Sequence, residues 1–333
     1  MPALTDPLTL GGFELRNRVV LAPLAGIGNW FVRLQARRFG AGLVVSEMVS
    51  SFAVHYRNEK TCRELLRIDP REKAGGPVSM QLFGADPDVM RSAAAAVAAA
   101  GADMIDINMG CPVPKVCRTG AGAALLADPA RAVAVARAAG EGSGLPVTVK
   151  LRSGWRAGER DGVDLARRLV EDGGVAAITL HPRPATIAHR GKPDYALAAE
   201  LVATLGAPVI LSGGLSSVEA VTAAYEQTGA AAVMLARGVL GNPWLFEQVL
   251  GLRSEGPSVA EVLTELDWVS ACASEHMGVE RAGRYLRRFY PWYLERLPLE
   301  GGAAKSLQSA LQQAESFEAV REHLDGALLA QAV

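Results

Sequence analysis

The segment Asn108-Met109-Gly110-Cys111-Pro112 carries the most reactive side chain in its neighbourhood, the thiol of Cys111. Gly110 before it permits close backbone approach, and Pro112 after it stiffens the chain. A thiol so framed can act as a nucleophile or as a general acid. Cys111 also opens a glycine-rich stretch, Arg118-Thr119-Gly120-Ala121-Gly122-Ala123, expected to form a long loop able to close over a substrate. A metal site is not expected. Cys111 and Cys117 lack the two-residue spacing of zinc motifs, and no histidine lies close in sequence. Cys117 lacks comparable support, and Cys62 and Cys272 read as packing residues.

Other chemistry-bearing residues end short apolar runs. Gln81 and Asn108 offer amide donors and acceptors suited to a flat heterocycle with carbonyls and ring nitrogens, or to neighbouring backbone. Lys150 ends a run otherwise made for burial. A buried unpaired ammonium is costly, so it should meet an anion or a carbonyl. His181 ends the next run, with Arg183 two residues on as a candidate contact to substrate. Ser212-Gly213-Gly214 and Ala236-Arg237-Gly238 are glycine-containing turns whose backbone N–H groups suit a phosphate, with Arg237 able to add a bidentate contact.

These residues need a scaffold that brings strand ends together. Eight short apolar runs alternate with alanine-rich stretches: 19–22, 43–45, 78–82, 104–107, 147–150, 177–180, 208–211 and 232–235. Such near-continuous apolar strands suit a parallel sheet covered on both faces. Asp86-Pro87 and Asp128-Pro129 each pair a capping carboxylate with proline at the first helical position, and Ser216 to Glu219 fits a capping box. Eight βα units in about 220–240 residues match a closed barrel, whose active site lies at the carboxyl ends of its strands. An open doubly wound sheet is the structural alternative, weakened by the lack of G-x-G-x-x-G after the first strand. The fold class is therefore α/β, a TIM (β/α)8 barrel over residues 1–250. Glu255-Gly256-Pro257 marks a boundary, and residues 256–333 read as an all-helical domain.

Composition bounds the partners. The chain has 333 residues, half of them apolar, with a formal net charge of −1, so no global basic field announces a nucleic acid. Its start lacks the pattern of a secretory signal, and its longest small apolar run, Ala93 to Ala102, is too short to cross a bilayer. Four scattered cysteines do not form a disulfide framework. A cytoplasmic protein with no membrane partner is expected.

The run Asp106-Ile107-Asn108-Met109-Gly110-Cys111-Pro112-Val113-Pro114-Lys115-Val116, followed by Gly120 to Leu126, resembles the signature of the tRNA-dihydrouridine synthases, the bacterial B-type branch in particular. The likeness extends through Ala22 to Gly26, Val45 to Met48, Val147 to Lys150 and Arg237 to Trp244, covering essentially the whole barrel. It implies FMN across the barrel mouth, lined by Pro23, Leu24 and Ala25, with Gln81, Lys150 and His181 at the ring. Ser212, Gly213, Gly214, Ala236 and Arg237 would hold the phosphate. Cys111 would be the proton donor, and Asn108 would hold the uracil edge.

The implied reaction is reduction of the C5=C6 bond of a D-loop uridine in tRNA. Hydride would reach C6 from flavin N5, Cys111 would protonate C5, and NADPH would be the electron donor. A thiol suits this step as a modest acid that starts protonated. The chain departs from the family at several positions. Leu24 stands where methionine is usual, Ser212 and Gly214 where asparagine and aspartate are, and Pro182 and Ala236 where glycine is.

For a tRNA partner, the candidate surface is the stretch from Arg281 to Arg296. There Arg284, Arg287 and Arg288 interleave with Tyr285, Phe289, Tyr290, Trp292 and Tyr293. Most of those aromatics are expected to fill a helical core. From Gly256 onward the chain has seven Lys or Arg against eleven Asp or Glu, so only a local basic stripe can face RNA. A monomer is expected. Two other readings remain: an FMN barrel acting on a small molecule, and a non-catalytic RNA-binding relative that has lost the flavin.

Overall fold

A computed structural model describes residues 1–299 and 302–331. These fall into two compact units, Met1–Ala236 and Arg237–Val333. The division comes at the end of the last expected strand, ahead of the boundary that Glu255-Gly256-Pro257 suggests.

The first unit contains β1 (Leu8–Leu10), β2 (Phe13–Leu15), β3 (Val19–Leu21), β4 (Leu43–Val45), β5 (Val49–Ser50) and β6 (Val78–Phe83). It continues with β7 (Met104–Met109), β8 (Val147–Arg152), β9 (Ala177–His181), β10 (Val209–Ser212) and β11 (Ala232–Leu235). All eight expected strands form, each end within two residues of its expected place. They pair in parallel in the order β4-β3-β11-β10-β9-β8-β7-β6, and β6 pairs with β4 to close the ring. The closed barrel excludes the open doubly wound sheet.

Two features lie outside the expected eight strands. β1 and β2 form an antiparallel hairpin turning at Gly11-Gly12. Its Leu8, Leu10 and Leu15 are buried with Val20, Val45, Met104, Ile210 and Met234, which alternate to the barrel interior on their strands. A Cβ at Gly11 would lie 2.6 Å from Pro146, just ahead of β8, so the hairpin covers the amino-terminal end of the barrel. The second feature is a bulge. β4 runs beside β6 to Val45↔Ser79, and pairing resumes with β5 at Val49↔Leu82, four residues against three. Ser46 carries the ladder across. Its N–H donates to the Ser79 carbonyl at 2.9 Å, and its Oγ accepts from the Gln81 N–H at 2.9 Å.

Helix starts follow the expected chemistry with one correction. Asp86 and Asp128 cap the helices Pro87–Ala99 and Pro129–Ser143. The helix Val218–Thr228 is capped by Ser217, which accepts from the Ala220 N–H, so Glu219 sits one position too early to complete a capping box. In the second unit the described residues form helices and no strand, the principal ones being Val259–Met277, Val279–Leu286, Gly302–Gln313 and Phe317–Gln331. No described helix is long and apolar enough to cross a membrane.

Candidate active site

Alternation along the strands decides which side chains enter the barrel. Met104 belongs to the interior cluster, so Asp106 and Asn108, two and four residues on, share its face. The register then sets their neighbours: Gln81↔Asp106↔Thr148 across β6, β7 and β8, and Asn108↔Lys150 one layer higher. Arg152 stands opposite His181 at the ends of β8 and β9. The interior is thus polar on β6 to β9. On β10, β11, β3 and β4 it is mainly apolar.

The polar layer is a hydrogen-bonded chain. Asp106, wholly buried, accepts from Thr148 Oγ1 at 2.6 Å and from Gln81 Nε2 at 2.6 Å. Gln81 Oε1 accepts from Asn108 Nδ2 at 2.9 Å. Asn108 Oδ1 accepts the backbone N–H groups of Gly110 at 3.2 Å and Cys111 at 2.9 Å. Met48, placed by the bulge, brings its Sδ to 3.7 Å from Asn108 Nδ2. Both amides singled out from the sequence therefore act first on the protein, holding the strand end that carries the thiol.

Cys111 is half-buried and held from both sides. Arg152 Nε donates to the Gly110 carbonyl at 3.0 Å, and the same guanidinium reaches the carbonyls of Pro184 and Ala188 beyond β9. The Cys111 carbonyl accepts from the Ala123 N–H at 3.0 Å and from the Cys117 thiol at 3.3 Å. This corrects the expectation of a long loop free to close. After the short helix Pro114–Cys117 the chain turns back on Cys111, and Ala121, Ala123 and Leu125 are fully buried. Gly122, at φ +62°, makes the return possible, since a Cβ there would fall 2.6 Å from the Cys111 carbonyl oxygen.

The electrostatics are one-sided. Lys150, Arg152 and Arg183 converge on the mouth, and Asp106 below is the carboxylate that acts on Lys150. Burial pushes Lys150 down to about 8, aided by Arg152 and opposed by Asp106 and Cys111. Its ammonium makes no hydrogen bond or ion pair among the described residues. Burial raises Asp106 to about 6 against the hydrogen bonds from Thr148 and Gln81 and the charge of Lys150. His181 is driven far below the ordinary imidazole range by burial first, then by Lys150, Arg152 and Arg183, so it stays neutral. Arg183 Nη1 lies 3.0 Å from His181 Nε2. A guanidinium only donates, so Nε2 accepts and the ring proton sits on Nδ1.

The remaining candidates divide. Ser212 is buried at the end of β10, followed by Gly213 and Gly214 at φ +97° and +83°. A Cβ at Gly213 would lie 2.3 Å from the His181 ring, and one at Gly214 2.6 Å from the Tyr195 hydroxyl, which donates to the Gly213 carbonyl. This turn is packed against His181 by glycine alone. Leu24 is buried, Pro23 half-buried and Ala25 exposed in the turn after β3. Arg183 is buried, with Nε and Nη2 bonded to the Gly191 carbonyl, so it fastens its own loop. Ala236 is the last residue of the first unit, and Arg237, exposed, is the first of the second. In the second unit Arg284, Arg287 and Arg288 are exposed while Phe289, Tyr290 and Tyr293 are buried, as expected of most of those aromatics. Arg284 pairs with Glu280 at 2.5 Å, and Arg288 lies over the Tyr285 ring.

Reading strand ends alone misses Asp106, Thr148 and the clamp made by Arg152. The available signal was period-two alternation: Asp106 is a carboxylate inside an apolar strand, on the face of Asn108. No group of three or more His, Cys, Asp or Glu side chains among the described residues is placed to hold a metal ion.

The sequence profile of the family described as Dihydrouridine synthase (Dus) matches residues 20–332. The protein named probable tRNA-dihydrouridine synthase 1 of Synechocystis sp. is 37% identical over 334 residues, spanning 97% of this chain and 89% of that protein. The tRNA-dihydrouridine synthase B of Pseudomonas aeruginosa is 36% identical over 298 residues, 87% of each. Among solved structures, morphinone reductase in complex with tetrahydroNAD superposes with a TM-score of 0.55 at 18% identity. It covers 79% of this chain and 94% of that one, a likeness of fold.

Proposed function

The chain belongs to the dihydrouridine synthase family, and from that premise we propose how its own residues carry out the reaction. It is a flavin-dependent oxidoreductase that converts uridine in tRNA to dihydrouridine. Cys111 is the proton donor, the flavin is FMN, the reductant is NADPH, and the target is a D-loop uridine.

The observation that carries this reading is Lys150, an ammonium with no bonded partner among the described residues, beside a backbone-clamped Cys111. A carbonyl-bearing ring that gains negative charge on reduction fits that donor set. Neutral His181 adds an Nδ1–H, and Lys150 has an unused ammonium. The turn Ser212-Gly213-Gly214 offers backbone N–H groups to a phosphate. Its lost asparagine and aspartate side chains leave those N–H groups intact.

A bound flavin, once reduced, supplies the hydride for C6 of the uracil. The protein supplies the rest. Cys111 Sγ gives its proton to C5, on a thiol whose main chain is fixed by Asn108, Arg152 and Ala123. Lys150 and the Nδ1–H of His181 stabilise charge that develops on carbonyl oxygens near the mouth. The base must leave its stack to reach this depth, at a cost of a few kcal/mol. Contacts to phosphates offset that cost, and the exposed Arg284, Arg287 and Arg288 of the helical region are the residues assigned to them. Four free cysteines fit a reducing cytoplasm, and the scattered exposed apolar side chains fit a monomer.

Two measurements test this. Dihydrouridine mapping in tRNA from cells lacking the protein should show loss at one D-loop position, and unchanged tRNA would overturn the assignment. In vitro, Cys111→Ala should keep its yellow colour and bind tRNA, yet lose roughly 100-fold or more of dihydrouridine formation. Full activity in that variant would remove Cys111 from the mechanism. NADPH should support turnover better than NADH. Oxidation of NADPH with free enones, unaffected by tRNA, would favour a small-molecule enzyme, and a protein that cannot be reconstituted with FMN a non-catalytic relative.

A further inference from the structure

We propose that Asp106 is a positioning residue: from inside the barrel it fixes, through the amides of Gln81 and Asn108, the orientation of the strand end that carries the Cys111 thiol. The inference rests on Cys111 being the proton donor.

An ionised carboxylate can only accept hydrogen bonds, and a backbone N–H can only donate. These are the two ends of the chain Asp106–Gln81–Asn108–Gly110/Cys111. Between them lie two amides, each with two possible flips. One combination satisfies every contact: Gln81 Nε2 toward Asp106, Gln81 Oε1 toward Asn108 Nδ2, and Asn108 Oδ1 toward the two N–H groups. Flipping either amide, or both, sets acceptor against acceptor or donor against donor at two of the junctions. The carboxylate and the two N–H groups therefore select the same arrangement, and Asp106, one layer below, reinforces the atom that Asn108 presents to the Cys111 backbone.

The geometry is built in by register. Gln81, Asp106 and Thr148 are direct neighbours on three successive strands, and Thr148 Oγ1 fills the second carboxylate oxygen. Of the charged groups, Lys150 on β8 acts on Asp106, while β6 and β7 present the neutral amides. Burial nevertheless raises its pKa to about 6, so the ionised form that orders the chain is held at a cost. On protonation the carboxyl gains a donor that can turn to Gln81 Oε1. The relay then loses its fixed end, and the order of the Cys111 loop becomes linked to pH.

Two substitutions separate this role from mere packing. Asp106→Asn keeps the polarity, accepting from Gln81 with Oδ1 and donating to Thr148 with Nδ2, but does not titrate. Asp106→Leu removes the acceptor. The measurement is kcat for dihydrouridine formation at saturating tRNA and reductant, with flavin-loaded protein, between pH 5 and 8. Wild type should lose activity as the pH falls through about 6, and Asp106→Asn should work within a few-fold of wild type at pH 7.5 without that acid limb. Asp106→Leu should lose roughly 10- to 100-fold in kcat with KM for tRNA nearly unchanged, the range expected for a misplaced reacting group. The same acid limb in Asp106→Asn, or wild-type kcat in Asp106→Leu, overturns the relay. Should Asp106→Leu fail to retain flavin, the pH profiles of wild type and Asp106→Asn decide alone. Cys111→Ala measured alongside keeps the two readings apart. Its full activity would mean that the thiol is not the donor, whereas its inactivity beside unaffected Asp106 variants would refute the relay only.

Discussion

Lys150 and Cys111 show how much of this site is electrostatic preparation. Burial lowers Lys150 from an ordinary 10.5 to about 8, so its ammonium, still the main form at pH 7, is less favourable in the fold than in the unfolded chain. Below about pH 8 that difference works against folding, and the penalty fades as the pH rises toward 10.5, where the unfolded chain also loses the proton. Lys150→Met should therefore stabilise the flavin-free protein at pH 7 by about 1–2 kcal/mol, after allowance for partial exposure. The gain should shrink by pH 10, and catalytic efficiency should fall. Denaturant titrations at the two pH values check the sign, and an equal gain at both would assign it to packing instead. His181, kept neutral by burial and three cations, should add no step to the pH–rate profile between pH 5 and 8.

The elements that position these groups are unequal in how they appear in the sequence. The eight barrel strands announce themselves as apolar runs. The hairpin β1–β2 does not, because its three-residue strands are too short for a periodic signal, and its burial depends on barrel residues far along the chain. It behaves as part of the core. Leu10→Ala should cost about 2–5 kcal/mol, with activity per folded molecule unchanged. Thermal melts together with specific activity corrected for folded fraction test both halves of that statement, and lost activity in fully folded protein would give the hairpin a catalytic role. The bulge between β4 and β5 is equally silent, yet it turns Met48 toward Asn108.

For the molecule as a whole, net charge argues against RNA binding while its local distribution allows it. Arg284 lies in the last turn of the helix Val279–Leu286, Arg287 and Arg288 follow directly after its end, and all three are exposed. Replacing them together with alanine should raise KM for tRNA with little change in kcat. It should also flatten the dependence of log affinity on log salt by about one unit for every phosphate the protein no longer neutralises. Filter binding over a salt series supplies the measurement. An unchanged slope would move the RNA-binding face to another surface.

The barrel, the helical C-terminal region and the place of Cys111 at a strand end were legible because each is a local pattern: apolar runs, caps, and a glycine and a proline flanking a thiol. What the polar residues do to one another was not. Gln81 and Asn108 read as groups for a flat ligand or for neighbouring backbone, and only the folded chain shows Asn108 bonded to the backbone of Gly110 and Cys111 and Gln81 set between Asn108 and Asp106. Asp106 and Arg152 carried no separate claim, yet they fasten that segment from below and from the side. Gly122 read as part of a long loop and Gly213 as a turn residue, and they prove to be places where a Cβ would strike Cys111 or His181. Each difference has one physical origin. Strand register and the closure of β4 on β6 are set by contacts between residues tens of positions apart, so the sequence by itself singles out Cys111 while only the closed barrel decides which groups hold its backbone in place.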